Sequence, residues 1–179
     1  VFGSINGIEG IINDDLVSLN TVVRTNDDMD LLRQTPSTVL GSCRYKLPDF
    51  NEDSAVYEKI LNCFERHGIG AFFYIGGNDS ADAARIVAEE AEKEGYPLVV
   101  YHIPKTIDND LRSCDHTTGF GSAARFVASA IRGDDLDNRA LGGVKIDIIM
   151  GRDAGFLTAA SALARIREDD GPHLIYLPE

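Results

Sequence analysis

The sequence predicts an α/β domain built on a doubly wound, mainly parallel sheet with helices on both faces. Short apolar runs rich in β-branched and aromatic residues alternate with stretches patterned at helical spacing. The order strand, helix, strand repeats, which favours parallel pairing through crossover helices. Each main run ends in a polar loop bearing glycine or proline, and in such sheets ligands bind at the carboxyl ends of the strands.

The elements follow in chain order. Thr38–Leu40 is a short strand candidate. Val56, Ile60, Cys63, Phe64 and His67 fall on one helical face. Ala71–Ile75 (AFFYI) reads as a strand, and Ala84, Val87, Ala88 and Ala91 mark the helix after it. Glu89, Glu90, Glu92 and Glu94 with Lys93 read as that helix's solvated face. Leu98–Ile103 (LVVYHI) is the next strand. Phe120, Ala123, Ala124, Val127, Ala130 and Ile131 form the clearest apolar stripe. Ile146–Met150 (IDIIM) is a strand, Phe156, Ala160, Leu163 and Arg167 mark a helix, and Leu174–Leu177 (LIYL) is a last strand.

The 179 residues suffice for one core, so residues 1–179 read as a single α/β domain. A net charge of −12 disfavours nucleic acid and anionic membranes as partners, and no apolar run is long enough to span a bilayer. Cys43, Cys63 and Cys114 are odd in number and far apart, which argues against a disulfide framework and a cysteine-based zinc site and for a reducing, cytoplasmic setting. His67, His102, His116 and His173 are scattered and read as satisfied core or surface histidines.

Four strand-end loops carry the chemistry. In Gly76-Gly77-Asn78-Asp79-Ser80, two glycines let the backbone approach a ligand, and Ser80 can cap a helix whose free N–H groups favour phosphate. Pro104-Lys105-Thr106-Ile107-Asp108-Asn109-Asp110 offers two carboxylates beside a lysine. One can take a hydroxyl proton, another can help hold Mg²⁺, and the lysine can neutralise a moving phosphoryl group. Gly41-Ser42-Cys43-Arg44-Tyr45-Lys46 and Met150-Gly151-Arg152-Asp153 each supply an arginine, whose fork matches phosphate oxygens. Any one of these is an ordinary turn; four at successive strand ends are not expected by chance.

In this order the loops resemble those of the phosphofructokinase family: a GGDGS-type loop at Gly76–Ser80, P-K-T-I-D-N-D at Pro104–Asp110, G-S-x-R at Gly41–Arg44 and M-G-R at Met150–Arg152. GFGSA at Gly119–Ala123 and LTAASALA at Leu157–Ala164 resemble the pyrophosphate-using bacterial branch. The resemblance covers nearly the whole chain. It implies a phosphofructokinase-like, Rossmann-like fold and a chain that is the donor-binding half of a longer enzyme, with the family's first strand and Gly-rich loop expected before Val1.

The resemblance also implies roles. Asp108 is expected as the base that deprotonates the 1-hydroxyl of fructose 6-phosphate, with Lys105, Asp79 and Arg152 completing the catalytic set. Thr106, Ile107, Asp108, Met150, Gly151, Arg152 and Arg44 are expected to contact the sugar phosphate or the transferred group. Gly77, Asp79, Lys105 and Arg44 would line the phosphate site, and Asn78 and Asp110 would hold Mg²⁺. Asn78 stands where most members have an aspartate, and a neutral amide is a weaker Mg²⁺ ligand.

Donor choice rests on two positions. ATP-using members have glycine where Asp79 stands, leaving room for an α-phosphate, and typically glycine where Lys105 stands. A carboxylate at the first crowds and repels an α-phosphate, while a lysine at the second supplies charge to a pyrophosphate. The expectation is therefore a reversible glycolytic phosphoryl transfer from pyrophosphate to fructose 6-phosphate, by a cytoplasmic homo-oligomer, dimer or tetramer, of the full-length chain. The alternatives are an ATP-dependent 6-phosphofructokinase and a non-catalytic regulatory subunit that binds sugar phosphate. A further alternative, that Asp79 and Lys105 merely pair with each other, would empty the donor argument.

Overall fold

A computed structural model describes every residue except Asp49, Asn51 and Glu179. The chain divides into two compact units, one of Val1–Tyr74 with Asp82–Tyr101 and one of Ile75–Ala81 with His102–Glu179.

In the first unit, β1 (Phe2–Ser4) pairs antiparallel with β2 (Leu16–Ser18), Gly3 opposite Val17. Between them lies α1 (Ile8–Ile12), followed after β2 by α2 (Leu19–Val22) and α3 (Asn26–Gln34). The tight return into α1 depends on Gly10, where a Cβ would lie 2.2 Å from the Ile5 carbonyl oxygen. Thr25 and Asp28 close a reciprocal capping box on α3.

The core is built by α4 (Ser54–His67) and α5 (Asn78–Lys93) against β3 (Ala71–Gly76) and β4 (Val99–Pro104). Asp53 caps α4 by accepting from the Ala55 amide, and Gly68 ends it in a left-handed conformation. Of the predicted stripe, Val56, Ile60, Cys63 and Phe64 are buried on α4 with Tyr57 beside them, and Ala84, Val87 and Ala91 are buried on α5 with Ala83 beside them. Ile60 is fully enclosed. Ile60→Ala is expected to cost about 2–5 kcal/mol, read as a lowered unfolding midpoint in thermal or denaturant melts.

β3 and β4 run parallel: Gly70 O accepts from Val99 N at one end and Gly76 O from Lys105 N at the other, so both partners advance together. The strands bury alternate residues. Phe72, Tyr74 and Val100 pack into the core, while Phe73, Val99 and Tyr101 are exposed, with Phe73 stacked on Tyr101.

Glu90 departs from the expected solvated face. It falls three residues after Val87 on the buried stripe and is 3% exposed. Its charge is tolerated because Lys93 pairs with it, the ammonium also sitting 5.3 Å from the centre of the Phe50 ring.

Asp14, in the turn before β2, meets α4. His67 Nε2 lies 2.7 Å from its carboxylate, Arg66 pairs with the other oxygen, and the Cys63 thiol donates at 3.5 Å. The His67 hydrogen bond, followed by Arg66 and Cys63, holds the Asp14 carboxyl below its ordinary 3.8 against the opposing effect of desolvation. Since the folded value lies below the unfolded one, this contribution is fully present above the unfolded carboxylate range. It drains away as pH falls through the folded value. Asp14→Asn, tolerated at φ 59, is expected to flatten that part of the acid limb in thermal melts between about pH 5 and pH 2.

In the second unit, α6 (Phe120–Leu141) packs on α7 (Phe156–Ala160) and the 3₁₀ turn Ser161–Ala164. The helix expected through Arg167 thus stops at Ala164 after tightening. Ile146–Met150, Leu174–Leu177 and Thr38–Leu40 form no strand. A strand exists through its ladder, and none of the three has a pairing partner among the described residues; Ile146 and Ile148 are 82% and 94% exposed.

Candidate active site

The second unit gathers the ends of β3 and β4 with the start of α6. β3 closes on Gly76, and α5 begins at Asn78. Gly76 leaves room for the helix start, since a Cβ there would lie 2.5 Å from the Ser80 Cβ. Gly76 O accepts from Lys105 N at 2.8 Å, and His102 Nε2 lies 3.0 Å from the same oxygen. The Lys105 carbonyl stands 3.7 Å from where a Cβ on Gly77 would be. The GGNDS and PKTIDND loops are therefore fastened to each other by backbone.

Their side chains also meet. Asn78 Nδ2 donates to Asp110 Oδ2 at 3.0 Å. Asp79, in the first turn of α5, is exposed, as is Lys105, and no ion pair joins them. The simple pairing alternative thus has no support in the geometry. Thr106 Oγ1 accepts from Asp108 N at 3.1 Å, and Asp108 is half-buried while Asp110 is exposed.

Ile107 packs at the head of α6, its Cγ2 3.1 Å from where a Cβ on Gly119 would stand. One residue on, the Phe120 ring lies edge-on to Phe156 at 6.3 Å. Phe156 opens α7 directly after the MGRDAG turn. The Pro104–Asp110 and Met150–Gly155 loops therefore both reach the same end of α6. In that turn Gly151 is buried, Met150 and Arg152 are exposed, and Arg152 adopts φ 46. Ala154 N closes it on Gly151 O at 3.0 Å. Arg44 is exposed in the first unit, after Gly41 at φ 77.

Chemically, the cluster in the second unit offers carboxylates for proton transfer and hard oxygen donors, with cations on exposed side chains for an anion. Asp110 Oδ and the Asn78 amide oxygen are the donor set closest to what Mg²⁺ takes.

Among the described residues a different set, Asp14, Cys63 and His67, is close enough to share a cation. It belongs to the first unit, Arg66 already pairs with its carboxylate, and burial together with Asp14 pushes the Cys63 thiol up to about 11. Helical spacing already sets Cys63 and His67 on one face, whereas nothing in the sequence pattern brings Asp14 to them. Also in the first unit, a cavity of about 830 Å³ between α4 and the end of α5 carries Glu58, Glu65, Glu90 and Glu94 on its wall, a poor place for a phosphate.

The fold and the loop set define an α/β domain with polar, Gly-bearing loops at its strand ends. The chain belongs to the phosphofructokinase family, whose description, Phosphofructokinase, matches residues 1–179. It is 54% identical over 179 residues to the pyrophosphate–fructose 6-phosphate 1-phosphotransferase of Rhodospirillum rubrum, covering 100% of this chain and 43% of that protein. It is 40% identical to the enzyme of the same name from Halomonas elongata, covering 100% of this chain and 43% of that protein. The crystal structure of a pyrophosphate-dependent phosphofructokinase from Marinobacter aquaeolei superposes with a TM-score of 0.83 at 38% identity, over 98% of this chain and 43% of the other. The fold is thus the phosphofructokinase-like α/β fold, and the chain spans less than half the length of these relatives. No helix among the described residues is long and apolar enough to cross a membrane.

Proposed function

We propose that the protein carrying this chain transfers a phosphoryl group from pyrophosphate to the 1-hydroxyl of fructose 6-phosphate. The observation that carries this reading is the fastening of the Gly76–Ser80 and Pro104–Asp110 loops into one strand-end cluster. In this reading Asp79 and Lys105, exposed on these adjoining loops, select the donor. Relatives with pyrophosphate in their names support the same donor.

Asp108 accepts the proton of the 1-hydroxyl as its oxygen attacks the distal phosphorus of pyrophosphate. The bridging P–O bond breaks, and orthophosphate leaves with the electron pair. Lys105 and Arg152 neutralise charge spread over the moving group, which matters more than covalent help in phosphoryl transfer. Thr106 and the Met150–Arg152 backbone orient the sugar, and Gly77 gives the donor a close backbone approach. Asp110 and Asn78 would hold Mg²⁺, whose contribution when bound is to neutralise pyrophosphate oxygens. The part of Arg44 rests on the resemblance of its loop alone. A glycolytic, cytoplasmic role and homo-oligomeric assembly of the full-length chain belong to the same reading.

The test is formation of fructose 1,6-bisphosphate by the full-length protein with Mg²⁺ and either pyrophosphate or ATP as sole donor. Product with pyrophosphate alone is expected. Product with ATP alone would discard the donor assignment, and no product with either, from folded protein that binds the sugar phosphate, would point to a regulatory subunit.

A further inference from the structure

We infer that Asn109 and Thr117 are positioning residues that set the Asp108 and Asp110 carboxylates for transfer; the inference rests on the proposed function. Asn109 stands between the two carboxylates with φ 56, a left-handed conformation that asparagine adopts more readily than most residues. That turn puts the Asn109 side chain inside while Asp110 faces solvent and Asp108 is half-exposed.

Inside, the amide is held from both ends. Asn109 Nδ2 donates to the Asp115 carbonyl at 3.1 Å. Its Oδ1 accepts from the Thr117 amide at 2.8 Å, with the Thr117 hydroxyl at 3.0 Å. That hydroxyl also reaches the Thr106 carbonyl. Having one proton, it donates to one of the two oxygens at a time. Thr117 is 3% exposed and Asn109 9%, so the bonds between these two residues are closed off from water. A parallel bridge from Lys105 to Thr118 straps the same loop a second time. The residues from Thr106 to Asp110 are thus pinned at the Thr106 carbonyl and at the Asn109 side chain, and neither pin is a group the transfer itself consumes.

Positioning at this level acts on rate. A misplacement of about 1 Å costs on the order of 10²-fold. Thr117→Val keeps the shape and removes the hydroxyl. In the full-length protein it is expected to lower kcat about 10²-fold with pyrophosphate, with little change in either KM. Thr117→Ser, which restores the hydroxyl, is expected to recover most of it. Asn109→Gly keeps the left-handed turn without the side chain and is expected to show the same kcat loss, so the inference stays testable should Thr117→Val not fold. Active wild type with variants that melt lower but turn over normally per folded molecule would overturn the positioning role alone. A wild type silent with both pyrophosphate and ATP would overturn the proposed function, and this inference with it.

Discussion

Asp108→Asn is expected to lose turnover by about 10²–10⁴-fold while the protein still binds fructose 6-phosphate, because the replacement keeps the size of the carboxylate and abolishes its ability to take a proton. Its backbone N–H already bonds the Thr106 hydroxyl, so the loop conformation has a tie that the substitution leaves in place. The loss should therefore appear in kcat, with KM for the sugar phosphate little changed. Steady-state kinetics on the full-length protein check this, with a binding measurement beside them. Undiminished kcat would remove Asp108 from the role of base.

Replacing the two residues proposed to select the donor, Asp79→Gly with Lys105→Gly, is expected to weaken pyrophosphate use by roughly 10–100-fold, equivalent to one charge-assisted contact of about 1.5–3 kcal/mol. ATP use is expected to rise as the carboxylate that repels an α-phosphate is removed. The structure makes the pair separable from the scaffold. Lys105 holds its loop through its backbone N–H to Gly76, and Asp79 enters no ion pair among the described residues. The cost of Asp79→Gly is confined to the first turn of α5, where an acidic residue favours the helix dipole. Kinetics with each donor in turn decide the matter. Unchanged pyrophosphate use with ATP use still absent would show that these positions do not select the donor.

Much of this was legible in the sequence because the signals were local. The α4 and α5 stripes needed only helical spacing, and AFFYI and LVVYHI needed only β-branched and aromatic density. The strand-end rule predicts that the GGNDS and PKTIDND loops lie together, and Asn78 meets Asp110 there. What escaped was set by contacts far apart in the chain. The short β1–β2 pair lacks an apolar run, and Glu90 looked solvated in a row of glutamates although its helical phase buries it. Ile146–Met150 and Leu174–Leu177 carry strand composition without a ladder, which composition cannot supply. Asn109 read as part of an acidic turn, yet its left-handed φ turns it inward, and nothing in the spacing predicts Thr117 as its partner.

The central claim is that the site uses pyrophosphate and spares ATP. Phosphorus NMR on the full-length protein with Mg²⁺, fructose 6-phosphate and both donors in one tube tests it most directly. The account predicts that pyrophosphate disappears as orthophosphate and fructose 1,6-bisphosphate grow, while the three ATP resonances hold. Growth of ADP with pyrophosphate untouched would contradict it.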